Sequence, residues 1–213
     1  MPFAWVAWIA VLVGTVHVVA DFAGAHRVAS GAKALPIAAL IAWVVLHEPV
    51  VGDSYRRLVA AGLLFSMAGD VFLLSRTRFR EGVASFFLGH VFYLLAFTTA
   101  SEFVPSWSAA LVLVIFAAGM LGVLWAHVHK DRAAIACYVA MISVMAWTAL
   151  GRAGAPGTPD PSGMLAAAGA LLFMVSDSIL AIDRFVTPWR TAHAAVMATY
   201  YPAQLLIAAS VAA

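Results

Sequence analysis

LVAAGLLFSMAGDVFLL, residues 58–74, and MLAAAGALLFMVSDSILAI, residues 164–182, are apolar stretches each interrupted by one aspartate, Asp70 and Asp177. At 1.5 Å of rise per helical residue, both come close to the thickness of a bilayer's hydrocarbon core. A carboxylate there costs roughly 2.5 kcal/mol on insertion scales and more in simulations. Side chains kept at that cost face a bundle interior or a wet cavity, and they mark chemistry or ion passage. The alternative is that each aspartate merely ties helices together or pairs with Arg76 or Arg78 at the interface.

Outward from these stretches, the whole chain has the same character. Of its 213 residues 64% are hydrophobic and 10% charged, with a mean hydropathy of +0.98. Soluble domains run near 45–50% apolar and about 25% charged. The expectation is an all-α, polytopic transmembrane helical bundle in which residues 1–213 form a single transmembrane domain. A net charge of +2 gives no reason to expect nucleic acid as a partner. The single cysteine, Cys137, reads as a small core residue and says nothing about redox compartment. The opening MPFAWVAWIAVLVGTVHVVA has no basic n-region and too long an apolar run for a signal peptide, so it reads as a span.

Hydropathy predicts eight spans, with seven as the alternative count: Phe3–Ala20, Ala34–Leu46, Leu58–Leu74, Val83–Thr99, Ala109–Ala126, Ala133–Leu150, Met164–Ile182 and Ala192–Ala213. The second is short and carries Pro36 in its first turn, where proline is tolerated. The longest connection, GRAGAPGTPDPSG at 151–163, reads as an exposed irregular loop. With eight spans, Arg27, Lys33, Arg76, Arg78, Arg80, Lys130, Arg132, Arg184 and Arg190 fall on one side, and Arg56, Arg57 and Arg152 on the other. The richer side is then cytoplasmic, in the inner membrane of the cell, and both termini face outward. Asp70 and Asp177 come out near the cytoplasmic ends of their spans. His90, Tyr93, Tyr138, Tyr200 and Gln204 lie one to three turns in from the same side. That asymmetry favours a one-sided pocket, open toward the cytoplasmic half, over a through-pore.

Residues 60–74 align without gaps to residues 167–181, with seven of fifteen positions identical, the aspartates among them. The same offset superposes Tyr93 on Tyr200. The alignment raises a parallel four-plus-four duplication, which would set the two aspartates around one cavity.

Ser66 lies one turn before Asp70, and Ser176 flanks Asp177. His90 shares a face with Phe86, Tyr93 and Phe97, and reads either as a satisfied core histidine or as a group orienting a carboxylate. Tyr93, Tyr138 and Tyr200 read as packing residues or hydroxyl donors, and Gln204 needs buried partners. Lys33 and the arginines of 76–80 are topology signals first and a phosphate clamp second. No metal set is spaced for binding. There is no GxSxG, HExxH, Walker A or GxGxxG pattern, so serine-type and zinc-type hydrolases are unsupported.

Ser66, Gly69, Asp70, Leu74, Phe79, Gly82, Phe86, His90 and Tyr93, in this order and spacing, resemble the central signature of the YhhN family. Gly169, Ala170, Phe173, Ser176, Asp177, Ala181 and Phe185 resemble its second motif. Lys33 with Pro36, and Tyr200 with Gln204, fit its opening and closing features. The resemblance implies a lysoplasmalogenase-like membrane hydrolase, cleaving the vinyl ether of lysoplasmalogens to a fatty aldehyde and a glycerophospho-base. The partners are then a lysophospholipid substrate and membrane lipid. The residues are compatible with that chemistry. Protonating the outer vinyl carbon gives an oxocarbenium-like centre that water attacks, and one protonated and one ionised carboxyl suffice, Asp70 and Asp177 being the candidates. No metal or organic cofactor is required. The phosphate would lie near Lys33 or the arginines, and Trp and Tyr at that level would meet the amine. The rival reading is a proton-coupled small-molecule or lipid transporter built on the same carboxylates. The sequence sets neither the headgroup, the chain length nor the oligomeric state.

Overall fold

The structure is a computed structural model and describes residues 34–99 and 104–213. The first predicted span, Phe3–Ala20, and Lys33 lie outside the described residues. Seven α-helices follow one another: α1 Leu35–Leu46, α2 Asp53–Leu73, α3 Phe79–Thr99, α4 Trp107–Trp125, α5 Arg132–Ala153, α6 Ser162–Phe185 and α7 Ala192–Ala209, with a 3₁₀ turn Arg76–Arg78 between α2 and α3. No strand occurs among the described residues. The all-α expectation therefore holds.

Four helices, α3 to α6, are long and apolar enough to cross a membrane. The eight-span count is not supported: α1 has only 12 residues, and α2 and α7 do not meet that standard. Several predicted boundaries are too tight because hydropathy sees only the apolar part of a helix. α2 begins at Asp53 and runs through Arg56 and Arg57 before the apolar stretch opens. α5 continues through Gly151 and Arg152 to Ala153, so the exposed loop expected from Gly151 starts three residues later. Gly157 turns it with a φ of 78°.

Small residues set the helix spacing. α2 and α3 form an antiparallel pair in which Gly62 faces the Tyr93 ring and Gly69 faces Phe86. A Cβ on Gly69 would sit 2.7 Å from that ring. α6 and α7 form a second such pair, where Gly169 lies against the Ala203 carbonyl and Ile207. Helices α1, α2, α3, α5, α6 and α7 neighbour one another in that order, and α1 closes back on α7. α4 stands outside this ring, packed on α5 and more lightly on α6. Only Leu113 and Leu124 of α4 are buried, while Leu111, Val112, Val114 and Ile115 project outward. An apolar, exposed helix face of this kind suits lipid rather than water.

The four-plus-four repeat is not supported either. A two-fold relation would give Asp70 and Asp177 equivalent partners. Asp70 instead accepts from Tyr200 and Asp177 from Tyr138, while Tyr93, the counterpart of Tyr200, bonds Gln204.

Candidate active site: a carboxylate at the wall of an apolar cavity

The ring of helices encloses an aromatic cluster. Phe173 of α6 meets His90 and Tyr93 of α3 and Tyr200 of α7 edge-on, with centroids 4.7, 6.3 and 5.4 Å apart. Edge-to-face packing fixes ring positions as well as filling volume. Polar groups are threaded through this cluster.

Asp177 stands on α6 with its side chain 13% exposed. The Tyr138 hydroxyl on α5 donates to its Oδ2 at 2.5 Å. His90 Nε2 lies 3.6 Å from the same oxygen, and the His90 ring is fully buried. That separation exceeds a normal hydrogen bond, and neither His90 nitrogen has a hydrogen-bond partner among the described residues. Charge-assisted hydrogen bonds like the one from Tyr138 are the stronger kind. Three helices thus converge on one carboxylate.

Asp70, on α2, is 1% exposed. It accepts a 2.7 Å hydrogen bond from Tyr200 on α7.

A cavity of about 950 Å³ lies at the end of the bundle that carries the 3₁₀ turn, between α3, α5 and α6 with α4 along one side. Its volume is in the upper range for sites that take drug-sized molecules. The walls are mainly apolar, among them Phe87, Phe116, Met120 and Ile142. Asp177 and Tyr138 are polar features of the wall. Arg80, Asp131 and Arg184 line the same space, and Arg80 Nη2 holds both Asp131 oxygens at 3.0 and 3.1 Å. Cys137 is exposed and lines the cavity rather than packing in the core, as its sequence context implied.

Of the residues singled out from the sequence, Asp177 and Tyr138 reach the cavity. Asp70 and Tyr200 are set behind Phe86, a cavity-lining ring that touches Gly69's face and meets Tyr200 edge-on at 5.9 Å. Tyr93 donates to Gln204 Oε1 at 2.6 Å, deep in the bundle. Ser66 is buried against Gly89. Ser176 donates to the Val196 carbonyl at 3.1 Å and ties α6 to α7. Among the described residues no three His, Cys, Asp or Glu side chains are grouped to hold a metal ion.

One charge escaped sequence reasoning altogether. Arg152, read there as a loop-side cation, is fully buried. Its Nη2 donates to Ser162 Oγ at 2.7 Å, and its guanidinium lies 4.5 Å over the Tyr55 ring. Ser162 donates to the Ser210 carbonyl, and Tyr55 and Ser210 hydroxyls meet at 2.6 Å. No motif marks this cluster. Arg184 did carry a signal, because it follows Asp177 by seven residues and so shares its helix face.

The profile of the YhhN family matches residues 28–211. Human lysoplasmalogenase TMEM86B is 34% identical over 180 residues, covering 84% of this chain and 73% of its own. Bovine lysoplasmalogenase TMEM86A is 32% identical over 188 residues, covering 84% of this chain and 75% of its own. The uncharacterized membrane protein YhhN of Escherichia coli O157:H7 is 28% identical over 180 residues, covering 82% and 84%. No solved structure matches the chain.

Proposed function

Since the chain belongs to the YhhN family, we propose that it is a lysoplasmalogenase-like hydrolase that cleaves the vinyl ether of a lysoplasmalogen within the membrane. The observation that carries this reading is Asp177 on the wall of a large, mainly apolar cavity, held by Tyr138 with His90 beside it. The cavity suits a single hydrocarbon chain, and the carboxyl group stands where the chain's ether end would lie.

The reaction needs a proton, a water and a base. A carboxylic acid protonates the outer vinyl carbon, and the electrons of the double bond form the new C–H bond. The positive charge left on the inner carbon and its ether oxygen is relieved when water adds. The second carboxylate takes the proton that water loses. The hemiacetal then breaks its bond to the glycerol oxygen, which leaves protonated, and a fatty aldehyde remains. We assign the two carboxyl roles to Asp177 and Asp70, on the pattern of inverting glycosidases, whose carboxyls stand apart to admit a water. Asp177 is the member at the cavity. Asp70 gains access when the Phe86 ring turns aside. Tyr138 and His90 orient Asp177, Tyr200 orients Asp70, Tyr93 with Gln204 and Ser176 tie the helices that carry them, and Ser66 packs against Gly89 where α2 and α3 come close. Lys33, outside the described residues, keeps the phosphate-binding role that the resemblance implies.

The protein is a multi-pass membrane protein. We infer that residues 1–213 form one transmembrane domain in the inner membrane, with the end at Thr77–Arg80 cytoplasmic and both termini outside. The basic residues at 76–80, 130–132 and 184–190 support this orientation. The proton-coupled transporter has no comparable support.

Detergent-purified protein assayed with a lysoplasmalogen for aldehyde release tests the reading. Aldehyde and the glycerophospho-base should appear in equal amounts. Flux into liposomes without either product would overturn it in favour of transport.

A further inference from the structure

Arg184, Arg80 and Asp131 stand together on the cavity lining, and only two of the three charges are matched. Arg80 and Asp131 are paired across the rim. The Arg184 guanidinium lies 4.5 Å over the Phe79 ring, itself part of the lining, and has no carboxylate partner among the described residues. Its sequence neighbour Asp183 instead accepts from the Trp189 backbone N–H at 3.1 Å. Stacking on an aromatic ring leaves the guanidinium's edge free to donate, and that planar fork suits an oxyanion.

Position makes this charge informative. Arg184 follows Asp177 by seven residues on one continuous helix, so the two share a face about 10 Å apart along the axis. In a 1-alkenyl glycerophospholipid, seven bonds separate the outer vinyl carbon from phosphorus. Extended, they span roughly 8–9 Å by ordinary bond lengths. A lipid whose phosphate sits at Arg184 therefore brings its vinyl ether to Asp177. Asp131 adds the complementary sign at the same rim. Arg80 reaches both of its oxygens through a single nitrogen, and a carboxylate's remaining lone pairs can take an ammonium.

We propose that the cavity mouth is a headgroup site for a single-chain phospholipid carrying a zwitterionic phospho-amine, with Arg184 binding the phosphate and Asp131 the ammonium. The inference rests on the vinyl ether reading above and names the part of the substrate that sets its register. A phosphate monoester without an amine satisfies Arg184 alone, and an uncharged alkenyl glycerol satisfies neither.

Three substrates test it: 1-alkenyl-glycerophosphoethanolamine, 1-alkenyl-glycerophosphate and 1-alkenyl-glycerol, each assayed with wild type, Arg184→Gln and Asp131→Asn. Arg184→Gln should lower the preference for phosphate-bearing over phosphate-free substrate, as a ratio of kcat/KM, about 10- to 100-fold, mainly through KM. Asp131→Asn should erase the preference for the ethanolamine substrate over the bare phosphate. Unchanged ratios in both variants overturn the headgroup site while leaving the hydrolase intact. Should wild type release no aldehyde from any substrate, the hydrolase reading fails on its own. Binding of the uncleavable 1-alkyl-glycerophosphoethanolamine, followed by intrinsic tryptophan fluorescence, then decides the mouth. Weaker binding by Arg184→Gln keeps the site, and equal binding removes it. Inorganic phosphate and chainless glycerophosphoethanolamine serve as competitors. Inhibition by phosphate as strong as by the lysolipid would make the rim a free-anion site and overturn the lipid assignment.

Discussion

Among the described residues two charged clusters are buried, one near each end of the bundle, and they differ in what they face. Asp177, with Tyr138 and His90, opens on a cavity. Arg152, with Tyr55, Ser162 and Ser210, opens on nothing and is the more completely enclosed of the two. Burial of charge is therefore a poor guide to function here. The arginine sits where four chain segments meet: Tyr55 from α2, Arg152 from α5, Ser162 at the start of α6, and Ser210 just past α7. Its stacking on Tyr55 and its bond to Ser162 make it a tie. The carboxylate stands at the wall of an open cavity, where the proposed substrate would meet it.

The sharpest test of that contrast is the pair Asp177→Asn and Asp70→Asn. Asparagine keeps shape and hydrogen bonding but can neither give the acid proton nor act as base. Aldehyde release should fall by about 10²- to 10⁴-fold or more in each, with the protein still monodisperse by size exclusion. Near wild-type turnover in either would make that aspartate another tie, like Arg152.

Arg152→Ala should do the opposite. It removes a long packed stem and the ring stacking, and should cost about 2–4 kcal/mol of stability, read as earlier thermal unfolding in detergent. Turnover per folded molecule should stay within about twofold. Arg152→Met fills most of the volume and leaves no buried N–H unmatched, so it should cost less than alanine does. A collapse of turnover in well-folded Arg152→Met would erase the distinction between the two ends.

Smaller effects grade the carboxylate cluster itself. Tyr138→Phe deletes the 2.5 Å bond to Asp177 and should lower kcat about tenfold, as loss of a hydrogen bond to a charged group predicts. His90→Gln should cost less, because its nitrogen stands 3.6 Å away and only orients the acid. A His90 effect exceeding that of Asp177→Asn would make the histidine the proton donor.

Much of the fold was legible because membrane helices announce themselves by unbroken apolarity. The runs in α3 to α6 are the clearest examples, and Asp70 and Asp177 stand out against that background. Helix starts were less legible. Asp53, Arg56 and Arg57 look like loop to a hydropathy window, yet α2 already runs through them. The partners of the aspartates were not readable at all. Which tyrosine meets which carboxylate depends on how α5 and α7 are set around α6, and nothing in one sequence fixes those neighbours. The offset that paired Tyr93 with Tyr200 suggested a symmetry that the hydrogen bonds do not have. Arg152 was misread for a related reason. A cation beside a Gly- and Pro-rich segment looks solvated until α2 and α7 are brought over it.

In the proposed reaction, the light attachment of α4 offers the products a way out. α3 and α4 both line the cavity through Phe87, Leu88, Phe116 and Met120, yet α4 packs on α5 and α6 and not comparably on α3. Leu88 is part of that lining and is itself partly exposed. The exposed Leu88 lies at the seam between them, whereas Arg184 and Asp131 line the charged end of the cavity. In the proposed reaction the greasy aldehyde partitions sideways into the bilayer and the glycerophospho-amine diffuses off into water. The two products never queue for one door, and the membrane acts as a sink for the first. Saturation should then follow the mole fraction of substrate in the lipid or detergent phase rather than its bulk concentration, so diluting the lysolipid with inert detergent at constant total amount should slow turnover.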